Sequence, residues 1–275
     1  MKHALLFLSV ILLFAKNTLA QPAVEFIRNY DIGRHERFFD IYAVEDGGYV
    51  MCGASSAVPL HWGSILVTRV DAAGREIWSQ IFDAGGKSDA YSIIEADGGD
   101  YVIGGRVDNR FHALRVTSEG NLVWRSDYND GVCNAVIELK DGRFLLAGNN
   151  SFRSPRYSRI ICIDGEGNVE WDRVYDQIEY STFSGIKETE NAVVATGSGR
   201  PAGINRGYAW AVKAALNDGD ALWTHHYTEG DRQFSTSGMA SAGDGGFVLC
   251  GGWNSDNMLP GITTVPLITT VMTIG

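Results

Sequence analysis

A recurring aromatic hairpin constrains this chain more than any other feature of its sequence. The stretch from Arg159 to Tyr175 joins an apolar run to a second strand through an Asp-Gly-Glu-Gly turn, and the second strand carries Trp171 and Tyr175. Alternating apolar residues around an Asp/Gly turn predict a β-hairpin. Because the hairpin recurs about every fifty residues, the sequence predicts a repeat architecture. The other copies are Val67 to Phe82, Leu114 to Tyr128 and, more loosely, Val212 to Tyr227.

A second recurring unit precedes each hairpin. It has a short apolar strand, an acidic or glycine-containing turn, and a strand that ends in glycine. The five copies are Ile41 to Gly53, Ser92 to Gly105, Ala135 to Gly148, Gly185 to Gly197 and Gly238 to Gly251. Together the two units predict a blade of four strands, named A to D in chain order, with the aromatic pair on strand D.

The number of these pieces predicts a closed ring. Four blades are complete, whereas the fifth has strands A and B, a less regular stretch from Gly261 to Ile274 in place of C, and no D. At the chain start, Val24 to Asp31 superposes on Val169 to Asp176, so Phe26 takes the place of Trp171. We therefore predict an all-β fold, a five-bladed β-propeller of four-stranded blades, closed by the N-terminal strand, which leaves no free sheet edge.

The first twenty residues have the features of a secretory signal peptide. Met1, Lys2 and His3 precede an apolar run from Ala4 to Ala15, and Lys16 to Ala20 lead to a predicted cut after Ala20. The run is too short for a membrane span. We expect residues 1–20 to be the signal peptide and residues 21–275 to be a single β-propeller domain, secreted or periplasmic.

The charge of the chain excludes some classes of partner. Its formal net charge is −10 at pH 7. Such an acidic exterior argues against nucleic acid and against anionic membrane surfaces as partners.

The four cysteines do not form an obvious disulfide framework. Cys52 and Cys250 occupy equivalent places in two repeats, and Cys133 and Cys162 fall on non-adjacent strands of one repeat. We expect all four to be small buried hydrophobic residues without bridges.

Two segments carry a resemblance to known repeats. Asp46-Gly47-Gly48-Tyr49 followed by Asp71 to Trp78, and Asp164 to Trp171 with Asn168, resemble the units of secreted bacterial β-propeller repeat proteins. The resemblance implies an extracellular surface or adhesion-like protein without an assigned reaction. The stretch from Leu259 to Pro266 departs from it, because it lacks the D-x-x-G turn.

The hairpin also resembles quinoprotein repeats, in which an Asp, a Thr-Gly pair and a Trp dock neighbouring blades. Here the turn from Asp164 to Gly167 is one residue shorter and has no Thr before Gly. The tryptophans are therefore predicted to pack between blades, and no cofactor is expected.

The sequence contains no recognisable catalytic or metal motif. Asp164, Glu166 and Asn168 alternate as in a calcium loop, but a loop this short also fits a tight turn. His225 and His226 are adjacent on a predicted strand, so they face opposite sides. We assign no catalytic residue and no metal ligand.

Candidate binding residues lie in the predicted B–C and D–A connections, on the face of the ring opposite the short A–B and C–D turns. Arginines and aromatic residues on long loops of a rigid scaffold favour binding. The candidates are His61, Trp62, Arg106, Arg153, Arg200 and Trp253. The ligand expected there is a glycan, a small anionic ligand or a protein partner.

Three interpretations of the chain remain open, two of them about function and one about its organisation. The leading expectation is a non-catalytic binding or surface/adhesion module. The alternative is an extracellular carbohydrate-active enzyme, a glycoside hydrolase or lyase, with a site in the central funnel. Its nearest acids are Glu95, Glu138 and Glu188, which lie toward the turn end of strand A. The chain is also consistent with one module of a larger surface protein.

Overall fold

The computed structural model describes residues 26–58, 63–151, 154–200, 207–227, 232–241 and 246–255. Every regular element in these ranges is a β-strand. The strands form antiparallel sheets in which chain neighbours pair, as predicted for successive blades.

Four sheets contain four strands each and a fifth contains two. The first sheet contains β1 (His35–Ala43), β2 (Tyr49–Ser56), β3 (Ser64–Val70) and β4 (Glu76–Phe82). The second contains β5 (Ser88–Glu95), β6 (Tyr101–Val107), β7 (Arg110–Val116) and β8 (Leu122–Asp130). The third contains β9 (Val132–Glu138), β10 (Phe144–Asn149), β11 (Ser158–Ile163) and β12 (Val169–Tyr175). The fourth contains β13 (Thr182–Glu188), β14 (Ala192–Gly199), β15 (Tyr208–Ala215) and β16 (Ala221–Tyr227). The fifth contains β17 (Arg232–Ser241) and β18 (Phe247–Ser255).

The A strands start earlier than the sequence predicted. The first begins at His35 and not at Ile41, and the second begins at Ser88 and not at Ser92. Each A strand contains a register shift at one residue, and this β-bulge interrupts the alternation that marks a strand in a sequence. The bulged residues are Phe39, Tyr91, Asn134, Ser184 and Ser237.

The hydrophobic core is divided into clusters that lie between adjacent sheets. Ile65 and Val67 of the first sheet share a cluster with Leu114 and Val116 of the second. Equivalent clusters join the second sheet to the third, the third to the fourth and the fourth to the fifth. Each sheet therefore buries its apolar faces against its neighbours in chain order, as the blades of a propeller do.

The recurring tryptophan of strand D docks each of the first three sheets onto the sheet that follows it. The indole Nε1 of Trp124 donates to the carbonyl of Gly165 at 2.8 Å, and the indole of Trp171 donates to Leu216 at 3.2 Å. The partner carbonyls lie in the C–D turn of the following sheet. The hydroxyl of Tyr175 adds a bond to the carbonyl of Gly219 at 2.7 Å. The prediction that the tryptophans pack between blades is confirmed.

The N-terminal segment docks on the first sheet in the same manner. The hydroxyl of Tyr30 donates to the carbonyl of Gly74 at 2.9 Å, and the Phe26 ring lies over this glycine. Gly74 occupies the C–D turn, as Gly219 does in the fourth sheet. Residues 26–31 thus contact the first sheet in the way that a D strand contacts the sheet that follows it. The predicted strand within Gly261 to Ile274 lies outside the described residues.

The cysteine prediction is confirmed at three positions and wrong at the fourth. None of the four forms a disulfide, and Cys52, Cys133 and Cys162 are buried, but Cys250 is exposed. Its position in β18 matches that of Cys52 in β2, since each pairs with the residue after a bulge. The difference arises because no described neighbour covers this face of β18. Within the described ranges no helix has the length and apolar character needed to cross a membrane.

Candidate functional site

A cavity of about 630 Å³ opens where the A–B turns of successive sheets meet, and we call it the turn-face cavity. It spans four sheets, because the first three contribute their A–B turns and the fourth contributes the last residue of β13. Its lining residues are Tyr42, Glu45, Glu95, Ala96, Asp97, Gly98, Gly99, Arg115, Glu138, Leu139, Lys140, Gly142 and Glu188.

Short turns with glycine form this lining. In the second sheet, the amide of Gly99 donates to the carbonyl of Ala96 at 2.9 Å, and the amide of Ala96 donates to Asp100 at 2.7 Å. Gly98 and Gly99 have φ values of +97° and +87°, in the left-handed region that favours glycine. The turns are therefore compact, and backbone and acidic side chains form the cavity wall.

Three carboxylates link neighbouring sheets around the cavity. The carboxylate Oε2 of Glu95 accepts the amide N–H of Glu45 in the preceding sheet at 2.8 Å. The Oε2 of Glu138 accepts from the amide of Asp97 at 2.6 Å. The Oε2 of Glu188 accepts from the amide of Lys140 at 3.3 Å. In each case Oε1 accepts no hydrogen bond from the described residues, so it is available to a donor on a ligand.

The turn-face cavity carries negative charge. Five acidic residues line it against Arg115 and Lys140. The Arg115 guanidinium is committed elsewhere, because Nε donates to Asp100 at 2.9 Å and Nη1 donates to the carbonyl of Gly165 at 3.2 Å. This charge disfavours an anionic ligand and favours a neutral or cationic one that presents hydrogen-bond donors. The Tyr42 ring, 37% exposed, supplies an apolar surface.

Arg106 lies in a different environment from the one the sequence predicted. It belongs to β6 and not to a loop, and it is only 7% exposed. Its Nε and Nη2 donate to Oδ2 of Asp89 at 3.0 and 2.9 Å, and Asp89 is completely buried. The loop assignment was wrong because the B–C connection of the second sheet is a two-residue turn after Val107.

Tyr91 completes this buried pair. Its hydroxyl donates to Oδ2 of Asp89 at 3.1 Å. Burial, together with the nearby Asp89 carboxylate, raises the pKa of Tyr91 to about 12. Tyr91 is therefore a neutral hydrogen-bond donor at any physiological pH.

Of the other five predicted binding residues, the structure describes two, Arg200 and Trp253. Arg200 follows β14, where its guanidinium lies over the Tyr180 ring with 4.6 Å from Cζ to the ring centroid. Trp253 pairs through its backbone with Phe234 in the fifth sheet, so it lies on a strand and not on a loop. His61, Trp62 and Arg153 lie outside the described residues. Neither Arg106 nor Arg200 lines the turn-face cavity, and ligand binding by all six stays a prediction.

Sequence reasoning identified the acids of this cavity but not the cavity. Glu95, Glu138 and Glu188 were placed at the turn end of strand A, which is where they lie. They were set aside because the long loops belong to the other face. The available signal was the repetition of glutamate at the last position of three successive A strands. Tyr42 had no such signal, since the equivalent positions are not aromatic.

No metal centre is found in the part of the chain that the structure describes. Within it, no group of three or more His, Cys, Asp or Glu side chains could hold an ion. The candidate calcium loop is a hairpin turn, in which Oδ1 of Asp164 accepts the amides of Glu166 at 3.0 Å and Asn168 at 2.8 Å. The carboxylate is thus used by the turn itself.

Solved structures share the fold of this chain at low sequence identity. No protein-family model and no curated protein matches the sequence. Puromycin hydrolase superposes with a TM-score of 0.54 at 12% identity over 85% of this chain and 39% of its own. The Dos1 propeller gives a TM-score of 0.51 at 10% identity over 79% of this chain and 53% of its own. The quinohemoprotein alcohol dehydrogenase from Comamonas testosteroni gives 0.50 at 14% identity over 75% and 38%.

These likenesses concern the fold alone. The chain spans from 38% to 53% of the length of the three structures. They include named enzymes and a structure named only as a propeller, so they do not distinguish catalysis from binding. Together with the successive four-stranded antiparallel sheets and the clusters between them, they show that the chain has a β-propeller fold.

Proposed function

We propose that this protein is a secreted, non-catalytic binding module and that it binds a glycan in the turn-face cavity. The observation that carries the proposal is the cavity itself, at about 630 Å³ and formed by turns of four sheets. Its volume is in the range of small-molecule binding sites. The N-terminal sequence supports secretion, because residues 1–20 have the pattern of a signal peptide.

A glycan fits the chemistry of the lining. Sugar hydroxyls donate hydrogen bonds, and Glu95, Glu138 and Glu188 each present a carboxylate oxygen with no donor among the described residues. The exposed ring of Tyr42 offers an apolar surface to the face of a sugar ring. The negative lining argues against the small anionic ligand that the sequence left open, at least in this cavity. The glutamates remain fixed through Oε2, so the site is preorganised.

Binding to a glycan array, followed by calorimetry with the best ligand, tests the proposal. Tyr42→Ala removes the ring from the cavity and is expected to weaken binding about tenfold or more, equivalent to roughly 1.4 kcal/mol or more. The matched control is Arg200→Ala, which removes a predicted binding residue outside this cavity and is expected to leave affinity unchanged. Loss of binding in Arg200→Ala with no loss in Tyr42→Ala would assign the ligand to the other face.

The second candidate is the carbohydrate-active enzyme. One observation favours it, namely that Glu45, Glu95, Glu138 and Glu188 from four sheets line a single cavity. Glycoside hydrolysis needs two carboxyl groups roughly 5 to 9.5 Å apart. An assay for new reducing ends on the glycans that bind would reveal turnover. Turnover that is lost in Glu138→Gln would replace the binding-module proposal with a hydrolase.

A further inference from the structure

The junction between the third and fourth sheets contains buried hydrogen-bond donors that have no acceptor. Across the described ranges, six buried side-chain polar atoms lack a hydrogen-bond partner. Three of the six are Nε of Arg156, Oγ of Ser158 and Nε1 of Trp210, which lie at this junction, and all three groups can donate. Buried polar groups in folded proteins are normally paired, so a group of unpaired donors indicates an acceptor that the chain itself does not supply.

Strand register brings Ser158 and Trp210 together. Trp210 lies opposite the glycine that ends the strand B pattern, as Arg159 does in the third sheet. Ser158 precedes that position by one residue, as Phe111 does in the second sheet. One junction earlier, the guanidinium Cζ of Arg159 lies 5.6 Å from the centroid of the Phe111 ring. Trp210 also shares a hydrophobic cluster with Ile160, two residues after Ser158 on the same face of β11.

Arg156 reaches this junction from the connection that precedes β11. Its carbonyl accepts the amide N–H of Ser181 at 3.0 Å, and the amide of Ser158 donates to the Ser181 hydroxyl at 2.8 Å. Ser181 directly precedes β13 of the fourth sheet, so both residues are held against that sheet. The Arg156 side chain is half-buried, which leaves part of it open to a ligand from solvent while Nε stays buried.

The positive charge of Arg156 has no counter-charge in the described ranges. The fully buried arginines there are Arg69, Arg106 and Arg159, and each forms an ion pair with an aspartate. No described carboxylate forms such a pair with Arg156. Because removing a charge from water costs free energy unless the charge is paired, the half-buried guanidinium favours an anion beside it.

A second arginine flanks the same segment. The amide of Arg200 donates to the carbonyl of Glu179 at 2.9 Å, and its guanidinium Cζ lies 4.6 Å from the centroid of the Tyr180 ring. Tyr180 has a φ of +51°, in the left-handed region that bulky residues rarely adopt. Strained residues of this kind cluster at ligand-binding segments. Arg156 and Arg200 therefore add positive charge on both sides of residues 179–181.

We propose that this junction binds a small oxyanion, a carboxylate or a phosphate group, through the Arg156 guanidinium and the Ser158 hydroxyl, with the Trp210 indole as a third donor. Guanidinium groups bind such anions with two parallel hydrogen bonds. The site lies at the B–C end of the strands, on the face opposite the turn-face cavity, and it does not depend on glycan binding there. None of the three donors is among the six binding residues that the sequence predicted.

NMR titration of the mature chain with sodium phosphate, and separately with sodium acetate, tests the proposal at constant ionic strength. We expect saturable shifts of the Nε–H resonance of Arg156 and the indole N–H resonance of Trp210. A response to only one of the two salts identifies the anion as a phosphate or a carboxylate. If neither salt shifts these resonances in a saturable way, the proposal is wrong.

Two variants separate anion binding from a structural role. Arg156→Gln removes the guanidinium and should weaken anion binding about tenfold or more. Ser158→Ala removes a buried hydroxyl without a partner, so it should leave stability in the absence of anion unchanged or higher, and should weaken binding about threefold or more. The matched control is Arg75→Gln, which removes the same charge from a side chain that is 76% exposed and should leave affinity unchanged. Wild-type affinity in both Arg156→Gln and Ser158→Ala, or an equal loss in Arg75→Gln, would overturn the assignment.

Discussion

At the scale of single residues, a buried charge pair separates one repeat from the others. Asp89 and Arg106 are buried together in the second sheet, and the matching positions of the first sheet hold Arg37 and Ala54. The fold therefore does not require the pair. Taking two charges out of water costs free energy, which their attraction and hydrogen bonds offset only while both are present.

Arg106→Ala is expected to destabilise the protein by about 3 to 5 kcal/mol, because it leaves the Asp89 carboxylate buried without its counter-charge. The matched control is Arg173→Ala, which breaks the exposed pair with Asp220 and should cost no more than about 1 kcal/mol. Denaturant unfolding of both variants measures the difference. Equal stability losses would show that the Asp89 charge is relieved in some other way.

The sequence correctly placed Glu95, Glu138 and Glu188 at the turn end of strand A, but it misplaced Arg106. Arg106 was predicted on a loop because its strand runs past the glycine that ends the repeat pattern, and nothing local marks that extension. Its partner Asp89 is seventeen positions away in sequence, and their pairing follows from the register of β5 on β6. Such pairing across strands cannot be derived from a single sequence.

At the scale of elements, neighbouring sheets are joined by one repeated contact. An aromatic side chain of strand D packs on the glycine in the C–D turn of the next sheet. Trp171 lies on Gly219, where a Cβ atom would come within 2.5 Å of the indole, and Phe26 lies in the same way on Gly74. The aromatic repeat predicted this docking because rings four residues apart share one face of a strand. The A strands were predicted too short because their bulges break the alternation.

Gly219→Ala tests the docking. Its φ is +73°, so any side chain there is strained, and the added methyl would also displace the Trp171 ring. The matched control is Gly142→Ala, with φ of +85° and no atom within 4 Å of the added Cβ. Both variants carry the backbone strain, and Gly219→Ala should lose about 1 to 3 kcal/mol more through overpacking. Equal losses in thermal or denaturant unfolding would mean that the ring contact is loose.

At the scale of the whole molecule, the arrangement of successive sheets creates a site that no single repeat contains. Each of the first four sheets contributes one or two carboxylates, and only their arrangement around a common centre produces the turn-face cavity. The sequence predicted the all-β repeat fold because every copy carries the same pattern. It could not predict which face encloses a cavity, since that depends on how the sheets are inclined to one another.

Hydrogen–deuterium exchange of the mature chain, with and without the tightest-binding glycan from the array, tests the central claim most directly. We expect slower exchange at the turn amides of Glu45, Asp97 and Lys140, which lie in the cavity wall. Peptides that cover Arg106 and Arg200 should exchange at unchanged rates. Protection of those peptides, with none at the three turns, would contradict the account and place the ligand on the opposite face.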